Sequence, residues 1–437
     1  MPIARALLGI FFFCAVAWLL SSNRRNVNVR AVVWGIVLQV LLALLILKTD
    51  AGRIALNELA EVVTRFLKFG EEGARLVFGK LVGFVYDKPV TEGVPPQPLQ
   101  WFGDFPFQIP AEDQKYVSII FAFKALPTII YFSAVMAILY YLGIMQVIIW
   151  VLAKVMSFLM RLSGAESLAM AANIFVGQTE APLVVRPYVP GMTRSELMAL
   201  MTGGFATIAG SVLAVYIGVL GPEYAGHLLA ASFMSAPAAF VVAKIMVPET
   251  ERSVTAGKVE LRIERESANL LDATAQGTSI GLQLYLNVLA MLIAFVAIIA
   301  VINWILGAIP VGGEGLTIQR LLGWLFSPVA WVMGVNWSDC QNFGSLLGIK
   351  IAVNEFVGYT TMAGMEDGAM SARSLKMAAY ALCGFANFGS IGIQIGGISP
   401  LAPARRTEIC QLALRAMIGG AMASWMTATI AGAFVDE

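Results

Sequence analysis

Two acidic residues lie in the middle of otherwise apolar segments of this sequence. They are Glu180 and Glu355, and both segments are apolar enough to enter a membrane. A carboxylate near the centre of a lipid bilayer costs about 2.5–3.5 kcal/mol or more, so such residues usually have a function. The alternative is a structural ion pair, Glu180 with Arg186 or Glu355 with Lys350. The functional interpretation predicts that these carboxylates bind a polar ligand inside the membrane.

Amides and hydroxyls accompany both carboxylates. Gln178 and Thr179 directly precede Glu180, and they supply donors and acceptors for a neutral polar ligand. Asn387 and Ser390 are three positions apart, which places them on one face of a predicted helix. A hydroxyl-rich ligand fits these groups, because carboxylate and amide oxygens accept hydrogen bonds from adjacent hydroxyls. The alternative for Asn387 and Ser390 is hydrogen bonding between helices.

A second group of residues could form an oxygen cage for a small cation. Its members are Asn173, Val176, Thr207 and Ile208. Backbone carbonyls freed at a helix break, together with one amide and one hydroxyl, suit a small hard ion. A threonine in a span commonly bonds its own backbone, so the residue pattern alone leaves both interpretations open.

The composition defines the class of protein that must position these residues. Apolar residues make up 58% of the 437-residue chain and charged residues only 13%, with a formal net charge of +1. A soluble domain carries about 25% charged residues, so a soluble globule is excluded, and the same numbers exclude disorder. The charge balance offers no field to recruit nucleic acid. One histidine and four scattered cysteines argue against a catalytic or zinc centre.

Eight apolar runs are predicted to cross the membrane, since a spanning helix needs about 20 mostly apolar residues. They are Ile3–Leu20, Ala31–Leu47, Val117–Leu142, Leu197–Leu220, Leu228–Val247, Leu284–Leu306, Met377–Ile395 and Ile409–Phe434. The arginine and lysine clusters between them predict that both termini lie outside the cytoplasm and that the loop Asp87–Lys115 is external. The first run could be a signal peptide, but Arg24 and Arg25 and a second run follow it at once.

Five other segments are apolar but too short or too polar to span. Ile54–Val85, Gln146–Leu162 and Leu316–Val332 are predicted to be helices in the membrane interface. Gly164–Val189 and Asp339–Met362, which hold the two acids, are predicted to be re-entrant hairpins that break near the bilayer centre. Two spans follow each hairpin, and the two halves enter from opposite faces, which predicts an inverted repeat.

The motifs around these residues resemble those of the concentrative nucleoside transporter family. The second hairpin is similar to the family's GxKxxxNEFVxY signature, and the resemblance extends over essentially the whole chain. The stretches that carry it are Gly348–Lys350, Asn354–Val357, Tyr359, Gly177–Pro182, Leu126–Ile130, Leu139–Tyr141 and Gly384–Ser390. The short N-terminus is similar to the eight-span bacterial form of the family.

The resemblance implies an all-α polytopic membrane protein with eight transmembrane helices, two re-entrant helical hairpins, interfacial helices and an inverted repeat. It also implies a homotrimer in the lipid of the bacterial inner membrane. Each protomer would have a scaffold part and a mobile transport part. The expected division is residues 1–145 (scaffold, with interfacial helix 54–85), 146–250 (transport, with hairpin 163–189), 251–310 (cytoplasmic loop and scaffold span) and 311–437 (transport, with hairpin 339–362).

The resemblance also implies roles for individual residues. Those expected to contact the nucleoside are Gln178, Thr179, Glu180, Val212, Leu282, Glu355, Phe385, Asn387 and Ser390. The first three would face the base, Val212 and Leu282 would pack against it, and the others would surround the ribose. Those expected to bind sodium are Asn173, Val176, Thr207 and Ile208.

The expected function is sodium-coupled import of uridine-like nucleosides by alternating access, without an organic cofactor or nucleic acid partner. The alternative within transport is proton coupling, with Glu180 or Glu355 as the proton carrier. A membrane enzyme would need a nucleophile–base pair or a metal cluster, neither of which the sequence suggests. A channel would show flux without saturation.

Overall fold

The computed structural model describes residues 2–82, 84–85, 108–110, 116–118, 121–124, 126–257, 267–311 and 314–435. Apart from residues 108–110, the predicted external loop Asp87–Lys115 lies outside the described part. Helices dominate, and the strands are two or three residues long, which confirms the all-helical membrane fold class. Five described helices are long and apolar enough to cross a membrane, or six if one bent pair is a single span. The eight-span count therefore stays a prediction.

The N-terminal part consists of α1 (Pro2–Leu19), α2 (Val29–Lys48) and α3 (Asp50–Phe78). Asn28 and Thr49 are the N-caps of α2 and α3. The side chain of each accepts a hydrogen bond from the backbone N–H three positions later. An antiparallel sheet in the order β1-β3-β2 follows. Its strands are β1 (Phe84–Val85), β2 (Gln108–Pro110) and β3 (Tyr116–Ser118).

The next helices are α4 (Phe121–Lys124), α5 (Thr128–Tyr141) and α6 (Ile144–Met160). Between α5 and α6 the axis bends by 78°, and Gly143 permits the bend with φ +81°. The predicted third span, Val117–Leu142, was wrong in its first part, because the described residues there form the end of strand β3 and the single helical turn α4. The helix α6 coincides with a predicted interfacial helix.

The longest helix, α12 (Leu270–Leu306), has 37 residues and is about 55 Å long at about 1.5 Å per residue. Glycines bring it close to α5: a Cβ at Gly277 would lie 2.7 Å from Ser133 O, and one at Gly281 would lie 2.6 Å from Ile130 Cα. None of its most apolar 18-residue window is buried in the single chain. An apolar surface of this size needs lipid or another protein against it.

The first hairpin and the helices after it form one packed unit. Its elements are α7 (Gly164–Asn173), α8 (Ala181–Val184), α9 (Arg194–Ala206), α10 (Gly210–Leu220) and α11 (Ala225–Met246). The hairpin breaks between α7 and α8, as predicted. Its second arm, however, is a single helical turn, because Pro187 follows shortly after α8 and lacks the N–H that a continuing helix would need.

A buried lysine fixes the start of this unit. The Lys244 Nζ atom of α11 lies 2.6 Å from Glu166 Oε2 of α7 and donates to Ser195 Oγ of α9 at 3.0 Å. Glu166 and Glu196 also complete capping boxes at the N-termini of α7 and α9. These contacts align α7 and α9, so that the C-terminal ends of both helices meet.

The C-terminal unit begins with a short ribbon, β4 (Pro310–Val311) and β5 (Glu314–Gly315), and a helix, α13 (Ile318–Val332). The remaining helices are α14 (Cys340–Ala352), α15 (Glu355–Ala363), α16 (Ala372–Leu382), α17 (Phe388–Ile398) and α18 (Arg406–Phe434). Asn354, Ser371 and Asn387 begin α15, α16 and α17 as side-chain caps.

Two predicted spans, Leu197–Leu220 and Met377–Ile395, are not continuous helices. The stretch Arg194–Leu220 is nevertheless one of the five that are long and apolar enough to cross a membrane. The first breaks between α9 and α10, where Thr207 is extended, and the second breaks between α16 and α17. Each half of the chain therefore runs through a broken hairpin, a broken span and an unbroken helix (α11 or α18). This shared order agrees with the predicted repeat, whose inversion stays a prediction.

The two broken spans touch at their breaks. Gly384, with φ +135°, lies so close to the end of α9 that a Cβ would be 2.8 Å from both Phe205 O and Ala206 O. The first hairpin joins the same region, because Gly210 N donates to Phe175 O at 2.9 Å. The break in the first hairpin therefore lies beside the α9–α10 break, which in turn packs against the break between α16 and α17.

Replacing Gly384 with alanine should destabilise the protein by about 2 kcal/mol or more, since the new Cβ meets backbone atoms in a conformation that disfavours side chains. Thermal unfolding in detergent measures the effect. Gly392→Ala is the matched control, because among the described residues no atom outside its own stretch of helix lies within 4 Å of a Cβ there. Equal melting temperatures for the two variants would contradict this argument.

Candidate functional site

Glu355 occupies the first position of α15 and is buried, with 5% of its surface exposed. The Tyr216 hydroxyl of α10 donates to Glu355 Oε1 at 2.8 Å, and Asn387 Nδ2 donates to Oε2 at 3.2 Å. Three elements therefore meet at one carboxylate. A carboxylate has about four lone-pair sites, so these two donors leave acceptor capacity for ligand hydroxyls.

Asparagine caps bring the two helix N-termini to this carboxylate. Asn354 Oδ1 accepts from Val357 N and Asn387 Oδ1 accepts from Ser390 N, both at 2.8 Å. The positive ends of α15 and α17 therefore lie beside Glu355. Asn387 precedes α17 instead of sharing a helical face with Ser390, so that prediction was wrong, yet the cap still brings the pair together.

The structural ion pair that the sequence left open for Glu355 does not form within the described part of the chain. The donors to Glu355 are Tyr216 and Asn387, whereas Lys350 Nζ donates to Ala381 O at 2.8 Å. The ligand-binding interpretation of Glu355 is therefore favoured.

The acid of the first hairpin, Glu180, is half-buried and directly precedes α8. Its Oε2 accepts from Gly177 N at 3.3 Å, which folds the side chain back over the hairpin tip. Arg186 is exposed, and no salt bridge joins it to Glu180 among the described residues. The carboxylate thus remains available to a ligand.

The tip of the first hairpin packs on α9 and α17 through glycines. A Cβ at Gly397 would lie 2.8 Å from Thr179 Cγ2. A Cβ at Gly204 would lie 2.9 Å from Gln178 Cβ and 2.5 Å from Gln394 Nε2. The residues predicted to contact a ligand from the first hairpin therefore lie against the same half-helix that begins at Asn387.

Two half-helices connect the tips of the hairpins. The helix α17 runs from the Glu355 cluster at Asn387 to the first hairpin at Gly397, about 15 Å at about 1.5 Å per residue. The helix α10 runs from Gly210, bonded to the first hairpin, to Tyr216, bonded to Glu355. Both act as rigid spacers that fix the separation of the two acidic groups.

Sequence reasoning missed Tyr216 and Gln394. Gln394 is fully buried, its Nε2 donates to Met201 O at 2.9 Å, and its Oε1 has no partner in the described structure. Both residues stand four positions after a predicted site residue, Val212 or Ser390, and therefore share its helical face. That spacing was the only available signal.

The candidate cation cage gathers where the first hairpin meets the α9–α10 break. Asn173 is fully buried, and within the described residues neither its Nδ2 nor its Oδ1 has a hydrogen-bond partner. Thr207 Oγ1 donates to Gly203 O at 2.9 Å, so its hydroxyl bonds its own helix. Val176 and Ile208 are buried at the two breaks. The unpartnered Asn173 amide, set beside two breaks in the helices, fits a small cation.

A cavity of about 300 Å³ opens beside Glu180. Its walls come from the first hairpin and α10 on one side and from α5, α6 and α12 on the other. The polar residues that line it include Ser133, Tyr140, Tyr141, Gln146, Glu180, Arg186, Ser211, Ser267 and Gln276. It lies at the N-terminal half of α12, next to the loop predicted to be cytoplasmic. Glu355, Asn387 and Ser390 do not line it.

The remaining predicted ligand residues have different surroundings. Val212 is buried one residue after Ser211, which lines the cavity. Phe385 is half-buried in the break before α17. Leu282 is 46% exposed on α12 and does not line the cavity, so the structure does not bring it to the others. The α12 face that carries Gly281 packs on α5, and the next residue points about 100° away.

Replacing Tyr216 with phenylalanine should lower, about 10-fold, the efficiency of the nucleoside uptake that the sequence resemblance implies. The reason is that a hydrogen bond to a charged group contributes about 1.5–3 kcal/mol. Radiolabelled uptake into proteoliposomes measures the effect. Tyr359→Phe is the matched control, since that hydroxyl donates to Ala379 O at 2.9 Å instead of to the carboxylate. A loss in the control as large as in Tyr216→Phe would rule out a specific role for the Tyr216 hydroxyl.

Family models match most of the chain. The model described as "Na+ dependent nucleoside transporter C-terminus" matches residues 227–432, and the corresponding N-terminal model matches residues 8–81. A third, described as "Gate: Nucleoside recognition", matches residues 122–223. These ranges include both hairpins and all the broken spans.

Individual relatives are similar to this chain over nearly its whole length. An "Uncharacterized transporter" of Haemophilus influenzae is 43% identical, covering 100% of this chain and 98% of its own. "Solute carrier family 28 member 3" of Mus musculus is 41% identical over 98% of this chain, which spans 58% of that longer protein. The solved structure of CNTnw in an inward-facing substrate-bound state is 41% identical with a TM-score of 0.86, covering 99% of this chain and 98% of the other. The chain therefore belongs to the concentrative nucleoside transporter family.

Proposed function

We propose that this protein is a sodium-coupled symporter that imports nucleosides by alternating access. The observation that carries the proposal is the buried Glu355 carboxylate, which Tyr216 and Asn387 hold with acceptor capacity to spare. A nucleoside is neutral and carries adjacent sugar hydroxyls, and such a carboxylate accepts strong hydrogen bonds from hydroxyls. Membership of the family supports the substrate class.

The proposed pocket lies between the two hairpin tips. Glu355, Asn387 and Ser390 hold the ribose hydroxyls, with Phe385 beside them. Gln178, Thr179 and Glu180 face the base, and Val212 packs against it. Leu282 is left out of this pocket because its side chain lies on the exposed face of α12.

Sodium is proposed to bind at Asn173, Val176, Thr207 and Ile208. The supporting observation is the buried Asn173 amide, whose two polar atoms lack partners in the described structure. An ion there joins the first hairpin to the α9–α10 break and so shapes the base side of the pocket. Ion and nucleoside then favour each other's binding by about 1–3 kcal/mol.

Alternating access requires one part to move against another. We assign residues 1–145 and 251–310 to a scaffold, and residues 146–250 and 311–437 to a transport part. The exposed apolar face of α12 suits a subunit interface, and a homotrimer in the inner membrane is proposed on that basis. In this division, residues of both parts line the cavity at Glu180, and they include Ser267 next to the loop predicted to be cytoplasmic. Related CNTnw structures in inward-facing and outward-facing states support such movement.

Uptake of labelled uridine tests this proposal. The protein is reconstituted into vesicles, and sodium is replaced by choline at fixed pH, with unlabelled purine and pyrimidine nucleosides as competitors. Saturable uptake that choline abolishes is expected. Uptake that survives in choline and stops when a proton gradient is collapsed would instead favour proton coupling. The candidate carriers are Glu180 and Glu355, since neither forms a salt bridge in the described structure. Flux without saturation would indicate a channel.

A further inference from the structure

Lys350 is a fully buried cation that the proposed mechanism does not use. It lies in the last turn of α14, with 0% of its surface exposed. Its Nζ atom donates to Ala381 O at 2.8 Å, and no carboxylate lies within salt-bridge distance of it among the described residues. Burying an ammonium group is costly unless its charge is compensated. Its direct hydrogen-bond compensation therefore comes from backbone carbonyls, while the Glu355 carboxylate also acts on its charge over a longer distance.

Those carbonyls belong to the end of a half-helix. Ala381 lies in the last turn of α16, which ends at Leu382 before the break that leads to α17. The last four carbonyls of a helix have no partner within the helix, and they carry its negative partial charge. The second hairpin supplies donors to two of them, from Lys350 to Ala381 O and from Tyr359 to Ala379 O at 2.9 Å.

The first half of the chain has the same arrangement without a cationic side chain. Asn173 is the last residue of α7, as Lys350 belongs to the last turn of α14. Asn173 faces the last turn of α9, since a Cβ at Gly203 would lie 3.1 Å from its Nδ2. The α9 helix also ends at a break. Here the amide has no partner in the described residues, and this is where sodium is proposed to bind.

We propose that Lys350 is a built-in cation: its ammonium group fills, in the second half of the chain, the position that sodium takes in the first. The inference rests on the proposed sodium site. It follows that the second hairpin is joined to α16 whether or not ions are present, and that sodium controls only the first hairpin. These two positions then take one sodium ion per protomer.

The substitution Lys350→Asn tests this inference, because it removes the ammonium group and supplies the amide found at Asn173. Lys350→Met removes the charge without adding an oxygen ligand. Lys154→Asn is the matched control, since Lys154 is exposed and stacks over the Trp150 ring at 4.5 Å. Melting temperature is measured in detergent at constant ionic strength while sodium replaces choline, and the sodium dependence of uridine uptake is measured in vesicles.

In choline, both Lys350 variants should melt below the wild type. Sodium should raise the melting temperature of Lys350→Asn by most of this difference. The rise for Lys350→Met should be no larger than the rise for the wild type. The Hill coefficient for sodium should rise from about 1 toward 2, the number of sites setting its limit. Lys154→Asn should match the wild type in every measurement.

Several results would overturn the inference. One is a sodium-dependent rise in melting temperature of Lys350→Asn that equals the rise of the wild type. Another is a rise of Lys350→Met that equals the rise of Lys350→Asn. A third is a Lys350→Asn protein that is unfolded in both salts. If the wild type itself shows no sodium response, the proposed sodium coupling fails. The role of Lys350 is then judged separately, by whether Lys350→Asn gains a sodium-dependent rise in melting temperature that Lys350→Met lacks.

Discussion

Replacing Glu355 with glutamine is expected to lower nucleoside uptake by about 100-fold or more. Each hydrogen bond to a charged group contributes about 1.5–3 kcal/mol, and about 1.4 kcal/mol is a factor of ten. In the proposed pocket the carboxylate accepts from the ribose hydroxyls, while Tyr216 and Asn387 hold it in place. Glutamine keeps the shape but removes the charge and turns one acceptor oxygen into a donor, so fewer acceptor sites remain for the ribose hydroxyls.

Initial uptake rates of labelled uridine into vesicles measure the loss. Glu366→Gln is the matched control, because Glu366 follows α15 and is exposed. Size-exclusion chromatography should show that both variants keep the assembly state of the wild type. Unchanged uptake by Glu355→Gln would remove this carboxylate from the proposed ribose site.

Replacing Asn173 with alanine is expected to raise the sodium concentration for half-maximal uptake at least about 10-fold. The variant loses an ion ligand worth about 1.5–3 kcal/mol. Folding should tolerate the change, because the amide makes no hydrogen bond to the described protein that would be lost. The effect should therefore be larger on sodium dependence than on melting temperature.

Sodium titrations of uptake at saturating uridine measure this effect. Asn342→Ala is the control, since the Asn342 amide donates to Ala369 O at 2.9 Å and plays no part in the proposed cage. If the sodium response of Asn173→Ala matches that of the wild type, the cation lies elsewhere. If the variant fails to fold, the unpartnered amide has a structural role that the geometry does not reveal.

The fold class and the two interrupted hairpins could be predicted from the sequence. Hydropathy identifies lipid-embedded segments because a span needs a long apolar run, and an acid within such a run stands out by its cost. Glu180 and Glu355 were found in this way. The caps at Asn354 and Asn387 obey a local rule as well, although only the structure shows that the second of them begins a half-helix after a break.

The breaks in the two spans could not be found in this way. The sequence around Thr207 and Cys383 is as apolar as that of a continuous helix, so hydropathy does not register the interruption. The conformation of Gly384 depends on the end of α9, which packs against it. The two lie nearly 180 positions apart along the chain, so no local sequence pattern can predict the contact. Tertiary contacts override local preference at such a position.

By itself, the sequence determined which residues are costly to place in lipid, because that cost depends on side-chain chemistry and local hydropathy alone. It therefore determined the membrane class, the hairpins and their two acids. Only the tertiary structure decided which partners each polar group meets: that Tyr216 reaches Glu355, that Lys350 turns to the end of α16, and that Leu282 lies apart. Those partners depend on how helices distant in sequence pack, and packing is a property of the whole chain.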